Sequence, residues 1–388
     1  MTRLFPGSSF KASLSLSPPI TSQKLYYLPS VLLLLLVWLS GCSPFYILQA
    51  AYEESRILWR REPIEQILKE PGLDQETREK FQTVLAVRKY GRETLHLNVG
   101  GSYATYSYLD RPVLSYMLMA VPKTDLSPYS WWFLFVGRVP YKAFFSEEEV
   151  RLKADQFQAQ GYDTHIRPVQ AFSTLGWFDD PLLAHLLKFD KVTLAEVLFH
   201  ELFHNTLFLK GEVDFNESLA NFVGNRATIM FFRDLGGEES SEYLQAVKAW
   251  KEELEFSAFI ISVRTSLKDL YQGDLPEEEK LRLRQEIFSR SQEEWARMIA
   301  DRPTHHFREY SRQELNNAVI AHYLLYLDGL QLFESLYQAE GSNLARMVKL
   351  IGESILDGEE PFEAVRGLLN KKNSQNRNAG KIRHIDRS

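Results

Sequence analysis

His200-Glu201-Leu202-Phe203-His204 sets two imidazoles four positions apart, with a glutamate directly after the first. On a helix those two positions share a face, so both imidazoles can meet one metal ion. Glu201 then projects beside them, within reach of a water polarised by that metal. The chemistry available to such a trio is hydrolysis: the metal activates water and the glutamate takes its proton. A catalytic zinc ion generally has three protein ligands, so one more is required. Glu217, in Asn216-Glu217-Ser218-Leu219-Ala220, follows shortly after His204. A break at Gly211 and a second helix can carry it across, giving the two-histidine, one-glutamate set of the zincins. In the other reading Glu217 completes a capping box with Asp214. The expectation is one Zn²⁺ per chain on His200, His204 and Glu217. Asn221, one turn past Glu217, can accept a free imidazole N–H and orient the ring.

Other reactive side chains read less sharply. Asp179 and Asp180 close a Gly-Trp-Phe-Asp-Asp-Pro loop ahead of the metal helix. They suit a turn in which one carboxylate caps the segment after Pro181. They also suit a substrate wall in which one anchors a peptide's free amine. His185 and His322 lie on apolar helices and read as core residues, whereas His305-His306 read as an exposed loop. Cys42 is the only cysteine, which excludes an internal disulfide framework and any zinc site built on several thiolates.

Stepping outward, the positioning elements are a targeting segment, a mixed region and a helical half. Residues 1–41 carry Arg3, Lys11, Lys24 and no acid, and Val31–Leu39 is an unbroken apolar run. Nine residues are too few to cross a bilayer core, which needs roughly 20. Leu39-Ser40-Gly41-Cys42 looks like a bacterial lipobox, so 1–41 reads as a lipoprotein signal peptide and Cys42 as the lipidated first residue. An uncleaved membrane anchor is the other reading. Both put the body in the cell envelope outside the cytoplasm, and Ser43 favours the outer membrane, periplasmic side, of a cell that has one. Residues 42–388 then hold 42 basic against 51 acidic side chains, a poor balance for binding nucleic acid.

Residues 42–100 read as a helical segment, with an Asp74 start. Residues 101–235 read as the zincin-like metal-binding core: strands at 103–108, 113–121, 131–136 and 165–172, a helix from Ser146 to about Gln160, and the metal helix behind a Thr193–Glu196 capping box. Residues 236–370 read as helices at 240–271, 276–301 and 312–340, and 371–388 as a basic, disordered tail. The expected fold class is α+β, zincin-like, with a small mixed sheet packed on the metal helix and a mostly helical C-terminal half.

The chain also resembles the bacterial family of predicted aminopeptidases, zinc metallopeptidases many of which carry a lipoprotein signal. The resemblance rests on Gly100-Gly101-Ser102-Tyr103, Gly137-Arg138-Val139-Pro140-Tyr141 and Gly161-Tyr162-Asp163. It continues through Ser173-Thr174-Leu175-Gly176-Trp177-Phe178-Asp179-Asp180-Pro181, His200–His204, Phe215-Asn216-Glu217-Ser218, and Asn316-Asn317-Ala318 with Tyr326. It implies a peptide substrate and makes Tyr326 the tyrosine that stabilises the oxyanion. Gly224 departs from the family's pattern, which implies an acid there. The functional expectation is a zinc-dependent aminopeptidase of the envelope. An envelope metallo-endopeptidase and a non-catalytic, metal-containing lipoprotein are the alternatives.

Overall fold

A computed structural model describes residues 52, 55–109, 113–133, 136–169, 179–355 and 359–385, with side chains to 375. The expected signal segment and Cys42 lie outside them, as do residues 173–178 of the Trp177 loop. The described residues belong to one unit, 50–388.

A short strand, β1 (Arg61–Pro63), and one turn of helix, α1 (Ile64–Ile67), lead into α2 (Gln75–Glu93). Asp74 caps α2 by accepting the Thr77 N–H at 2.9 Å, and Phe81, Val84 and Val87 form its buried stripe. The strands that follow make three small sheets rather than the single one expected. β2 (Thr105–Ser107) pairs with β1, and later in parallel with β8 (Leu182–Leu183). β3 (Ser115–Pro122) is the centre of a second sheet, antiparallel to β6 (Tyr141–Phe144) and β7 (Tyr162–Val169). β4 (Trp131–Phe133) and β5 (Gly137–Val139) form a separate ribbon. Helix α3 (Glu147–Ala159), capped by Ser146, joins β6 to β7.

Alternation along β3 sorts the sheet's two faces. Leu118 and Ala120 bury against Val150, Ala154 and Phe157 of α3. Met119 and Val121 face the other way, toward Ala318, Ala321 and Leu325. Met119 is opposite Tyr141 on one side and His165 on the other, and Met117 is opposite Arg167. Tyr141, His165 and Arg167 therefore share the face turned to the helical half.

That half begins after a 3₁₀ turn at Ala184–Lys188, where a helix had been expected after Pro181. It contains α4 (Lys191–His204), α5 (Val213–Gly236), α6 (Ser241–Gln272), α7 (Glu277–Met298), α8 (Asn317–Leu327), α9 (Leu330–Ala339), α10 (Leu344–Ile355) and α11 (Pro361–Ile385). The single helix expected over 312–340 is broken at Gly329. Its φ is 75°, and a Cβ there would lie 2.5 Å from the Phe362 ring. Helix α11 runs on into the basic segment expected to be disordered. The metal helix α4 packs chiefly on α5 and α2, not on a sheet. The second sheet packs instead on α8, which lies against α5 and α6. Among the described residues no helix is long and apolar enough to cross a membrane.

Candidate metal centre

Helix α4 starts earlier than the capping box at Thr193–Glu196 suggests. Asp190 is the cap: its Oδ1 accepts the N–H groups of Val192 and Thr193 at 2.9 and 3.1 Å, and its Oδ2 accepts the Thr193 hydroxyl. Glu196 is thereby free of capping and is half-buried, facing Gly224 of α5. The helix ends at His204, so both histidines lie in its last turns. The chain reverses through Gly211, whose φ is 88°. Asn216 closes that loop with both ends of its amide, accepting from Leu209 N at 2.9 Å and donating to Leu209 O at 2.7 Å.

Helix α5 carries no side-chain cap, so Glu217 is not part of a capping box. Asp214 sits in its first turn, exposed to solvent. Gly224 sets the distance between α4 and α5. A Cβ there would fall 3.0 Å from the Glu196 carbonyl and 3.3 Å from His200 Cβ. A larger side chain here requires α4 and α5 to give by a few tenths of an ångström.

The close approach brings His200, His204 and Glu217 together. The two Nε2 atoms are 3.2 Å apart, and they lie 3.4 and 3.7 Å from Glu217 Oε2. Zinc bound tetrahedrally at about 2.0–2.1 Å would set its ligand atoms about 3.3–3.4 Å apart. The triangle therefore has the edge lengths of one tetrahedral face, and its donor atoms are those zinc prefers. Electrostatics agrees with the geometry. Burial pushes Glu217 up, but His204 and His200 outweigh it and hold the carboxylate well below its ordinary range. Burial pulls His204 down, and Glu217 more than reverses this. His204 Nδ1 is buried without a hydrogen-bond partner, so no acceptor orients that ring from behind among the described residues.

Burial raises Glu201, the imidazoles lower it, Glu217 raises it again, and the net shift is upward. That is the direction a general base for work near neutral pH requires. Tyr326 stands near the trio, its ring centroid 6.2 Å from that of His200. Burial, followed by the charge of Glu217, keeps its hydroxyl protonated. Tyr323 instead packs on Phe256 and Tyr310 and accepts from Gln313.

The aspartates occupy a different place. Asp179 Oδ1 accepts the Gly101 N–H at 2.7 Å and clamps the Gly100–Gly101 turn. Asp180 is buried, its backbone bonded to Tyr103 N and Ser102 Oγ. Tyr103 lies behind this loop, its hydroxyl raised by burial and then by Glu201 and Asp180. No described contact joins either aspartate to the His200, His204 and Glu217 trio.

The sequence profile of a family described as "Putative aminopeptidase" matches residues 45–355. The chain belongs to that family. No curated protein and no solved structure matches it.

Several features of this family member's site were unread or misassigned in the sequence. Tyr141, in β6, is half-buried and donates to Glu217 Oε1 at 3.3 Å. Its signal was the Gly-Arg-Val-Pro-Tyr stretch, which carries no metal-site spacing. Asn221 does not turn to an imidazole: its Nδ2 donates to Glu253 Oε1 at 2.5 Å and to the Tyr326 carbonyl at 3.0 Å. Asn225 donates to the other Glu253 oxygen, so α6 supplies a half-buried acid behind α5. Burial pushes Glu253 up to about 7, and burial with Glu253 and Glu201 pushes Glu196 up to about 8. Arg167 Nη1 lies 3.3 Å from His322 Nε2, and the guanidinium is 5.7 Å from the Tyr326 ring centroid. His305, expected to be exposed, is buried against Trp295.

Proposed function

We propose that the protein is a zinc-dependent peptidase, an aminopeptidase of the cell envelope, acting through His200, His204, Glu217 and Glu201. The observation that carries this reading is the triangle of two buried imidazoles and one half-buried carboxylate oxygen, beside a second, raised carboxyl group. When bound by the three ligands, the metal supplies Lewis acidity, lowering the pKa of water and polarising a carbonyl. Glu201 accepts the proton of the attacking water and delivers it to the departing amine. Tyr326 keeps its proton and donates to the oxygen that gains charge as the carbonyl becomes tetrahedral. Tyr141 holds the second oxygen of Glu217, so that Oε2 stays turned toward the imidazoles. The anchor for the peptide's free amine is assigned to the Asp179-Asp180 pair, which lies on the loop beside Gly101 and Tyr103. Asp179 keeps the adjacent turn in place. The Leu39-Ser40-Gly41-Cys42 stretch supports a lipid anchor at Cys42 and work in the envelope, on the periplasmic face of an outer membrane where there is one.

The test separates metal from base. Full-length protein should hold about one zinc per chain and cleave peptides with a free amine faster than their N-acetylated forms. Glu201→Gln should keep the zinc and lose about 10²- to 10⁴-fold in turnover. Unchanged turnover in that variant refutes the mechanism. Equal cleavage of free and acetylated peptides favours an endopeptidase, and no cleavage of any peptide favours a metal-containing lipoprotein without catalysis.

A further inference from the structure

Strand β7 packs on helix α8, and contacts of β7 with α7 and α8 follow one another along the strand toward Tyr326. At the first rung Asp163 pairs with Arg284 at 2.7 Å and accepts the Asn317 N–H at 3.0 Å. At the second, His165 and His322 stack with centroids 5.1 Å apart. At the third, Arg167 reaches both His322 and Tyr326. The first rung is a closed, buried ion pair. The third is a cation, exposed on its outer side, with no carboxylate within ion-pair reach among the described residues.

Its neighbours cannot neutralise it. Burial holds His165 down to about 4 and His322 well below its ordinary value, and Arg167 itself lowers both further. Both imidazoles are therefore neutral near pH 7, and His322 Nε2 is an acceptor that steadies one arm of the guanidinium. The remaining donors are a planar fork, the geometry that matches a carboxylate with two parallel hydrogen bonds. Tyr326 lies between this fork and the metal ligands. A group held by Arg167 would sit beside the proposed oxyanion donor.

We infer that Arg167 is a carboxylate receptor on the wall of the site, so that the preferred ligands are short peptides with a free carboxylate close to the scissile bond. The inference rests on the peptidase reading for its substrate, and binding is measured where no turnover is needed. The full chain with Glu201→Gln is titrated calorimetrically with Ala-Ala, with Ala-Ala amide and with Ala-Glu amide. Adding Arg167→Met should weaken Ala-Ala at least tenfold and Ala-Ala amide by less than twofold, and Arg167→Lys should recover part of the loss. A loss on Ala-Glu amide as large as on Ala-Ala also supports the receptor and assigns it a side-chain carboxylate as well. Equal effects on Ala-Ala and its amide, no effect on either, or no binding by the Glu201→Gln parent overturns the inference. If binding behaves as expected and the wild type cleaves none of the three, the receptor stands and the peptidase reading fails.

Discussion

Two sets of half-buried carboxyl groups lie within a few turns of each other on α4, α5 and α6, and they meet opposite fates. Glu217 faces two imidazoles and is held ionised, far below its ordinary range. Glu253 and Glu196 face amides, a glycine and each other, and are pushed up to about 7 and about 8. Burial acts on all three in the same direction, so the partner decides the sign. A carboxylate among imidazole nitrogens is held ionised, as a metal ligand must be, whereas one among amides is held toward its protonated form. Asn221 links the two sets: it bonds Glu253 on one side and the Tyr326 backbone on the other.

The comparison can be broken from its ionised end first. His204→Ala removes a ligand and the main counter-charge of Glu217. It should abolish zinc retention and hydrolysis together, read by metal analysis and peptide turnover. Tyr326→Phe should leave zinc in place and lower turnover about 10²-fold, the usual cost of one oxyanion donor. A loss confined to KM would remove Tyr326 from that role.

The neutral end is tested by pH. Folded Glu253 and Glu196 keep protons that the unfolded chain's glutamates release near 4.5, so the folded state binds more protons between that value and 8. Their contribution to stability is therefore full below about pH 4.5 and declines as pH rises through 7 to 8. Glu253→Gln cannot ionise. It should match the wild type at pH 5 and exceed it by on the order of 2–3 kcal/mol at pH 8, measured by urea unfolding. A pH-independent difference would mean Glu253 is already ionised. The smallest expected effect belongs to Tyr141→Phe. Losing one hydrogen bond to Glu217 should weaken zinc affinity a fewfold to about tenfold, in a competition titration with a chelator.

How far each part could be read in advance follows from sequence separation. The Asp74 and Ser146 helix starts were legible because a cap acts over three residues, and both hold. The start of α4 was misplaced because two capping candidates stood three residues apart, and Asp190 won by reaching two backbone N–H groups. The sheet was legible as strands but not as pairings. Three short sheets and one mixed sheet have the same alternation, and register is settled by long-range partners.

The spacing within His200–His204 by itself determined that two imidazoles would share a helical face, because 3.6 residues per turn leaves no other choice. The nearby Glu217 needed only one turn and a second helix to meet them. Tertiary structure decided the rest. Gly224 gained its meaning only when α4 and α5 packed closely enough that a Cβ would be crowded. Glu253, Tyr141, Arg167 and Tyr326 come from α6, β6, β7 and α8, and no period in the chain relates them to His200. They meet because the sheet buries Met119 and Val121 against α8 and because α8 packs on α5. Burial of apolar faces is indifferent to the polar groups it carries along, so the wall of the site is written in packing and not in spacing.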